Sequence, residues 1–264
     1  MNATGTSIGS STKVSKNGHV GTIAFDNYAR RNALSLALID ECLRAFDDFK
    51  QQEVRAVILR TATAEKIWSA GHDIDELPLA ERDPLPYEDP LEKLLRTISS
   101  FPAPVIAMVQ GGAWGGACDV IMTCDMVFGD ETASFAITPA KLGLPYNAAG
   151  IQHFLERLPL NMVTEMFCTA QSIPAARALR IGILNELLPA GELEEYVYKT
   201  AELIATRSPA SIACFKATAR ALAEAAPISP ESFERIQGLR RSVYCGPDYS
   251  EGIRAFKEKR SPKF

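Results

Sequence analysis

The first half of the chain alternates short apolar runs with segments of helical periodicity, a pattern that few architectures satisfy. The strand-like runs are residues 19–25, 56–60, 105–109 and 126–129, and the helical segments are residues 35–49, 91–100 and 115–123. Continuous or alternating apolar runs predict strands, and apolar spacings of three and four predict helices. Because parallel strands need a crossover between them, which a helix supplies, the alternation predicts an α/β fold with a largely parallel sheet.

Residues beyond 145 follow a different pattern, in which nearly every segment is helical. Proline or glycine separates the predicted helices, which are residues 151–158, 162–169, 174–179, 191–206, 209–225 and 230–244. A sheet core followed by a helical C-terminal layer fits this order.

Composition excludes several classes of protein. The 264 residues are 47% hydrophobic and 23% charged, which is ordinary for a globular chain with a sizeable core. A formal net charge of −4 argues against a general polyanion binder, so no nucleic-acid partner is expected. No apolar run approaches the ~20 residues of a membrane span, so no membrane partner is expected either. The polar residues 1–12 lack the apolar centre of a signal peptide and are predicted to form a disordered tail.

The six cysteines are scattered, with no CxxC pair and no histidine at metal-ligand spacing. They are Cys42, Cys118, Cys124, Cys168, Cys214 and Cys245. This usage is typical of reduced, mostly buried thiols. It predicts a cytoplasmic protein without a metal site.

Two glycine-bearing segments carry the strongest functional signal: residues 69–74 (SAGHDI) and 111–119 (GGAWGGACD). Each follows a strand-like run, and glycine lets a ligand approach the main chain where it leaves a sheet. Two such turns can direct two backbone N–H groups at one carbonyl oxygen, forming an oxyanion hole that stabilises an enolate. The plainer interpretation, that the glycines only permit tight packing, stays open.

These segments are two of five that together resemble the crotonase (enoyl-CoA hydratase/isomerase) superfamily. The other three are residues 32–34 (NAL), 178–185 (ALRIGILN) and 255–260 (AFKEKR), and all five occur in the family's order. One glycine-rich segment alone is a weak signal, whereas five in register are a strong one.

The resemblance implies a crotonase-like spiral of ββα units over residues 13–200 and a C-terminal helical trimerisation region over residues 201–264. It implies acyl-CoA thioester substrates and assembly as a homotrimer or a dimer of trimers. The backbone oxyanion donors then fall on His72 and Gly116.

The superfamily's hydratases use two carboxylates to activate water and to deliver a proton to the α-carbon. By the resemblance, Asp119, a shorter acid, stands at the first position and Pro139 at the second. Proline is neither an acid nor a base. A hydratase of the usual design is therefore disfavoured, unless Asp119 works alone or another acid replaces the missing one.

Four segments resemble the methylmalonyl-CoA decarboxylase branch of the superfamily most closely: residues 69–78, 114–117, 138–139 and 142–147. Loss of CO₂ from methylmalonyl-CoA or malonyl-CoA gives propionyl-CoA or acetyl-CoA and needs no base and no cofactor, because the carboxylate leaves its electrons behind as an enolate. The hydroxyls of Thr138 and Tyr146 and the imidazole of His72 are expected to hold the carboxylate perpendicular to the thioester plane. Local structural roles for these side chains stay open.

The resemblance also implies further substrate contacts, at Ala70, Asp73, Ile74, Gly115 and Pro139. Arg30 lies where the family contacts the nucleotide end of CoA, and Lys259 matches a position that reaches CoA, in some members across a subunit interface. His19 and His153 have no comparable partners in the sequence and are interpreted as structural or solvated.

The sequence also indicates a flap over the pocket and leaves two alternative functions open. The proline-rich stretch 76–89 is expected to form a mobile flap over the pocket. A hydratase or isomerase with Asp119 as its only acid, and a non-catalytic acyl-CoA or RNA binder, stay open as alternative functions. The group that returns a proton after CO₂ leaves is not indicated by the sequence.

Overall fold

A six-stranded sheet forms the centre of the computed structural model, which describes residues 11–78, 81–223 and 229–264. Its strands are β1 (Thr12–Asn17), β2 (Val20–Phe25), β3 (Ala56–Thr61), β5 (Val105–Val109), β7 (Met126–Asp130) and β10 (Glu186–Leu188), adjacent in that order. The β1–β2 pair is antiparallel and the other pairs are parallel. The predicted parallel sheet is confirmed.

A second sheet of very short strands lies where the two glycine segments leave the first one. It contains β4 (Ile67–Ser69), β6 (Gly112–Trp114), β8 (Ser134–Ala136) and β9 (Ile173–Pro174), in that order. The pairs β4–β6 and β6–β8 are parallel. Since β4 and β6 precede His72 and Gly116 along the chain, their pairing brings these two residues together.

Ten helices are described, and they cover both faces of the large sheet. They are α1 (Leu36–Gln51), α2 (Pro90–Ser100), α3 (Gly116–Thr123), α4 (Ala148–Leu155), α5 (Leu160–Thr169), α6 (Ala175–Ile181), α7 (Ala190–Ala205), α8 (Pro209–Ala223), α9 (Pro230–Tyr244) and α10 (Pro247–Lys257). Helices α1, α2 and α3 contribute to the main core, whereas α7 packs on the opposite face. None of these described helices combines the length and apolar content that crossing a bilayer requires.

Several boundaries differ from those predicted. The tail predicted for residues 1–12 ends too late, because Thr12 opens β1 and its hydroxyl donates to Glu41 at 2.9 Å; residues 1–10 lie outside the described residues. Helix α4 begins three residues early because the side chain of Asn147 caps it, accepting from the N–H of Gly150 at 2.7 Å. The predicted boundary at residue 200 falls inside α7, and residues 224–225 of the predicted helix 209–225 lie outside the described part.

Apart from Glu76, which ends a short 3₁₀ helix that begins at Ile74, the described part of the segment 76–89 has no helix or strand. The segment packs against the C-terminal helices. Arg240 of α9 donates to Asp83 at 2.8 Å. Tyr249 of α10 donates to the carbonyl of Pro78 at 2.7 Å. Leu77 and Leu85 place the segment beside the pocket, since both line it; its mobility stays a prediction.

Candidate active site

The N–H of His72 points away from Leu34, the residue with which His72 forms a β-bridge. Leu34 forms a parallel bridge with His72 through two hydrogen bonds to the residues on either side of it. The N–H of Leu34 donates to the carbonyl of Gly71 at 2.8 Å, and the carbonyl of Leu34 accepts from the N–H of Asp73 at 3.4 Å. In a parallel bridge of this kind the N–H of the middle residue faces the opposite direction. The N–H of His72 is therefore directed towards α3.

The N–H of Gly116 is the first of α3 and, like the other early N–H groups of a helix, has no acceptor within the helix. A Cβ added to Gly116 would lie 3.4 Å from the nitrogen of His72, so the two donors are neighbours. Within the described residues, no protein acceptor takes a hydrogen bond from either N–H. The predicted convergence of the two glycine turns is thus present in the structure.

Gly71 is the residue that permits this close approach. Its φ of +88° lies in the left-handed region, and a Cβ there would lie 2.3 Å from the carbonyl oxygen of Trp114 and 3.1 Å from the nitrogen of Gly116. Any side chain at position 71 must push the two turns apart.

The two donors border an inner cavity of about 50 Å³ that opens towards a larger groove of about 480 Å³. Four of the predicted site residues line both spaces: Ala70, His72, Ile74 and Thr138. Four more line only the inner cavity: Gly115, Gly116, Pro139 and Tyr146. Arg30 and Asp73 line only the groove. Lys259 lines neither, although Phe256 of α10 lines the groove. Most of the predicted residues are thus brought together.

The imidazole of His72 stands at the junction of cavity and groove. Its Nδ1 donates to the carbonyl of Asp73 at 3.1 Å, and its Nε2 lies 3.5 Å from Oδ2 of Asp89. Burial opposes protonation of the ring, but the Asp89 carboxylate and the Asp73 carbonyl outweigh burial, and the pKa of His72 is raised. A protonated His72 would place positive charge beside the cavity.

Asp119 does not line the cavity and lies behind Tyr146. The phenol of Tyr146 donates to Oδ2 of Asp119 at 2.7 Å, and Nδ1 of His153 bonds Oδ1 of the same carboxylate at 2.7 Å. Asp119 is 1% exposed, so it can reach a substrate only through Tyr146. The interpretation of His153 as a residue without a comparable partner was wrong, since it pairs with Asp119 over 34 residues of sequence.

Glu92, which no motif in the sequence marked, is the one carboxylic acid among the described residues that line the inner cavity. Glu92 is the third residue of α2 and is 5% exposed. Asn147 donates to its Oε1 at 2.6 Å. A glutamate in the first turn of a helix ordinarily complements the helix dipole at the surface, so no local signal marked Glu92 as a site residue.

Three cationic side chains, Arg30, Arg31 and Lys141, line the groove together with the carboxylates of Asp73 and Asp75. Arg30 pairs with Asp73 at 2.9 Å and with Asp75 at 3.5 Å, which fixes its guanidinium at the groove wall. Arg31 is exposed and adopts a left-handed backbone conformation at φ 55°.

Comparison with known proteins identifies the family. The sequence model of the enoyl-CoA hydratase/isomerase family matches residues 15–264. The chain belongs to this family. Methylmalonyl-CoA decarboxylase of Escherichia coli (strain K12) is 45% identical over 246 residues, which are 93% of this chain and 94% of that protein. The mitochondrial enoyl-CoA hydratase of Pongo abelii is 31% identical over 253 residues, which are 96% of this chain and 86% of that protein.

Solved structures of family members superpose closely on this chain. A methylmalonyl-CoA decarboxylase in complex with 2-nitronate-propionyl-CoA has a TM-score of 0.95 at 43% identity, covering 97% of this chain and 98% of that one. Another, complexed with 2S-carboxypropyl CoA, has a TM-score of 0.94 at 43% identity with the same coverage. The crotonase-like α/β fold implied by the sequence resemblance is confirmed.

Proposed function

We propose that this protein decarboxylates methylmalonyl-CoA to propionyl-CoA through a thioester enolate, without a cofactor. The observation that carries the proposal is the match, over nearly the whole of both chains, to methylmalonyl-CoA decarboxylase at 45% identity. The site geometry supports it, since two backbone N–H groups border a cavity in which Pro139 replaces the acid that a hydratase of the usual design needs.

The N–H groups of His72 and Gly116 would bind the thioester oxygen. As CO₂ leaves, negative charge moves onto that oxygen, and fixed donors stabilise it more than they stabilise the starting thioester. Each donor of such a pair contributes about 3 kcal/mol to stabilising the transition state. Both follow paired strands, His72 three residues after β4 and Gly116 two residues after β6, so little reorganisation would accompany the reaction.

The departing carboxylate would be held by Thr138 and His72, while Tyr146, whose one hydroxyl proton is directed at Asp119, forms the cavity wall beside it. All three line the inner cavity, and a protonated His72 offers the carboxylate an opposite charge. Held perpendicular to the thioester plane, the breaking C–C bond overlaps the forming π system of the enolate. Asp119 would act as a positioning residue, because it fixes the hydroxyl of Tyr146 without reaching the substrate.

The CoA moiety would occupy the larger groove. Arg31, Lys141 and the anchored Arg30 supply cations for its phosphates. Ala70 and Ile74 line both spaces and would border the thioester arm where it passes inward. Lys259 would reach CoA from a neighbouring subunit, as the family resemblance implies.

A trimer, or a dimer of trimers, is the assembly that we propose. Large apolar side chains are exposed on the helical part of the single chain, including Phe215 at 73%, Leu222 at 71% and Leu160 at 69%. Subunit contacts would cover such side chains. A cytoplasmic location fits the six free cysteines of the described chain.

The test compares CO₂ release from methylmalonyl-CoA with loss of absorbance from crotonyl-CoA, using the purified protein and a His72→Ala variant. We expect CO₂ release without hydration, and slower release by the variant, which keeps the backbone donor but loses the imidazole. Because Glu92 is an acid within the cavity, a hydratase is the second candidate. Hydration without CO₂ release would overturn the decarboxylase proposal in its favour.

A further inference from the structure

Glu92 is the acid that the proposed reaction leaves without a role. It lines the inner cavity together with both oxyanion donors and with Thr138 and Tyr146. A charged carboxylate there would repel a substrate whose own carboxylate must enter the same small space. A role for Glu92 therefore has to begin from its protonated form.

The hydrogen bonds of Glu92 leave one oxygen for the cavity. Oε1 accepts from Asn147 at 2.6 Å, and among the described residues none donates to Oε2. Asn147 is itself fixed, because its own Oδ1 caps α4 through the N–H of Gly150. The carboxyl group is thus held in one orientation, with Oε2 as the oxygen that can carry and release a proton.

The surroundings of Glu92 favour that proton. Burial raises the pKa of Glu92; the hydrogen bond from Asn147 lowers it; and the negative charge of Asp119 raises it again, with a net rise. His153 opposes this rise and Asp89 adds to it. His153 is hydrogen-bonded to Asp119, behind Tyr146, and so does not pair with Glu92. Among the described residues, Glu92 therefore remains without a cationic partner at the cavity wall.

We propose that Glu92 donates the proton that converts the enolate to propionyl-CoA, an inference that rests on the proposed decarboxylation. After CO₂ leaves, the enolate carries one negative charge. The O–H bond of Glu92 breaks, its proton forms a C–H bond with the electron pair at the α-carbon, and the thioester carbonyl re-forms. Glu92 is left as a carboxylate and takes a proton from water before the next turnover, so each turnover consumes one solvent proton.

A donor fixed on one side of the enolate delivers hydrogen to one face, whereas bulk water reaches either face of a released enolate. Decarboxylation in D₂O by the wild-type protein is therefore expected to yield mainly one enantiomer of propionyl-CoA deuterated at the α-carbon. By microscopic reversibility, Glu92 as a carboxylate also removes that hydrogen, so the protein should exchange one of the two α-hydrogens of propionyl-CoA with D₂O.

The decisive variant is Glu92→Gln, which keeps an acceptor for Asn147 but has no acidic proton. Its exchange rate is expected to fall about 100-fold, the size of a typical general-acid contribution, and its deuterated product to become racemic. Release of CO₂ in a single turnover should fall less. Glu88→Gln, which removes an exposed carboxylate four residues earlier, is the matched control and should behave as wild type.

The outcomes separate the inference from the proposed function. If the wild-type protein releases no CO₂, the decarboxylase proposal fails and this inference fails with it. If it releases CO₂ but yields racemic product, or if Glu92→Gln keeps both the enantiomeric excess and the exchange rate, Glu92 is not the donor and the decarboxylase proposal stands. The wild-type measurement alone can overturn the inference even if the variant does not fold.

Discussion

Tyr146 donates its hydroxyl proton to Asp119 at 2.7 Å, and this bond separates the residue that faces the cavity from the residue that bears the charge. Asp119 was a candidate acid in the sequence, but it is enclosed by Tyr146, His153 and the helix that carries it. Burial of the phenol and the negative charge of Asp119 raise the pKa of Tyr146 well above its ordinary value, which keeps the phenol protonated. The pair therefore presents to the cavity an uncharged phenol oxygen whose one proton is directed at Asp119.

Asp119→Asn is expected to lower kcat for CO₂ release by about 10- to 100-fold, since a hydrogen bond to a charged group is worth about 1.5–3 kcal/mol. The loss should pass through Tyr146. The double variant Asp119→Asn with Tyr146→Phe should then release CO₂ no more slowly than Tyr146→Phe alone. Additive losses in the rate assay would show that Asp119 acts on the substrate directly.

Gly71→Ala is expected to lower kcat by about 100- to 1,000-fold, the cost of losing one oxyanion donor. The added methyl group meets the carbonyl of Trp114 and must shift the N–H of His72 from that of Gly116. Gly182→Ala is the matched control, because Gly182 has a similar φ of +92° but its nearest neighbour lies 3.9 Å away. It should lower the melting temperature and leave kcat unchanged; equal rate losses in both variants would contradict the assignment.

Pro139→Glu should abolish CO₂ release from methylmalonyl-CoA by placing a carboxylate in the lining of the inner cavity. Pro139→Gln introduces a side chain of nearly the same shape as glutamate but without its charge. Its kcat/KM is expected to exceed that of the glutamate variant by at least about tenfold, which corresponds to about 1.4 kcal/mol. Steady-state kinetics on both proteins test this. Equal activity would mean that charge at position 139 does not govern the choice of reaction.

The pair of His153 and Asp119 predicts a pH-dependent contribution to stability. Burial lowers the pKa of His153, but Asp119, Glu92 and Glu156 together raise it above the ordinary value. A raised folded-state pKa stabilises the native state below the unfolded value of about 6.5, and this stabilisation is lost as pH rises through the folded value.

His153→Gln should therefore lower the melting temperature more at about pH 6 than at about pH 9. Thermal unfolding of wild type and variant across this range measures the difference. His19→Gln, at an exposed position in the turn between β1 and β2, supplies the control for the exchange of a histidine for a glutamine. A melting-temperature loss for His153→Gln that stays constant with pH would argue that His153 is neutral in the native state.

The large sheet could be predicted from sequence because its strands are long enough to show a pattern. Strand β5 matches its prediction at both ends, and β2 and β3 differ by one residue. The strands of the small sheet have two or three residues, too few for any periodicity, and they form because neighbouring turns place them side by side.

The part of the site carried by motifs was predicted, and the part carried by long-range contacts was not. His72, Gly116 and Thr138 lie in segments whose residue order is characteristic of the family. Glu92 acquires its position from Asn147, 55 residues away, and a local pattern carries no information about such a contact. His153 was set aside for the same reason.

The two donors that border the inner cavity, the N–H groups of His72 and Gly116, belong to the main chain. Replacing a side chain does not remove a backbone N–H, so this pair of donors persists while the surrounding residues change. Those residues come from separate elements: Glu92 from α2, Asp119 from α3 and Pro139 from the short 3₁₀ helix after β8. Each can be exchanged independently, so a few point substitutions can change the chemistry around a pair of donors that stays in place.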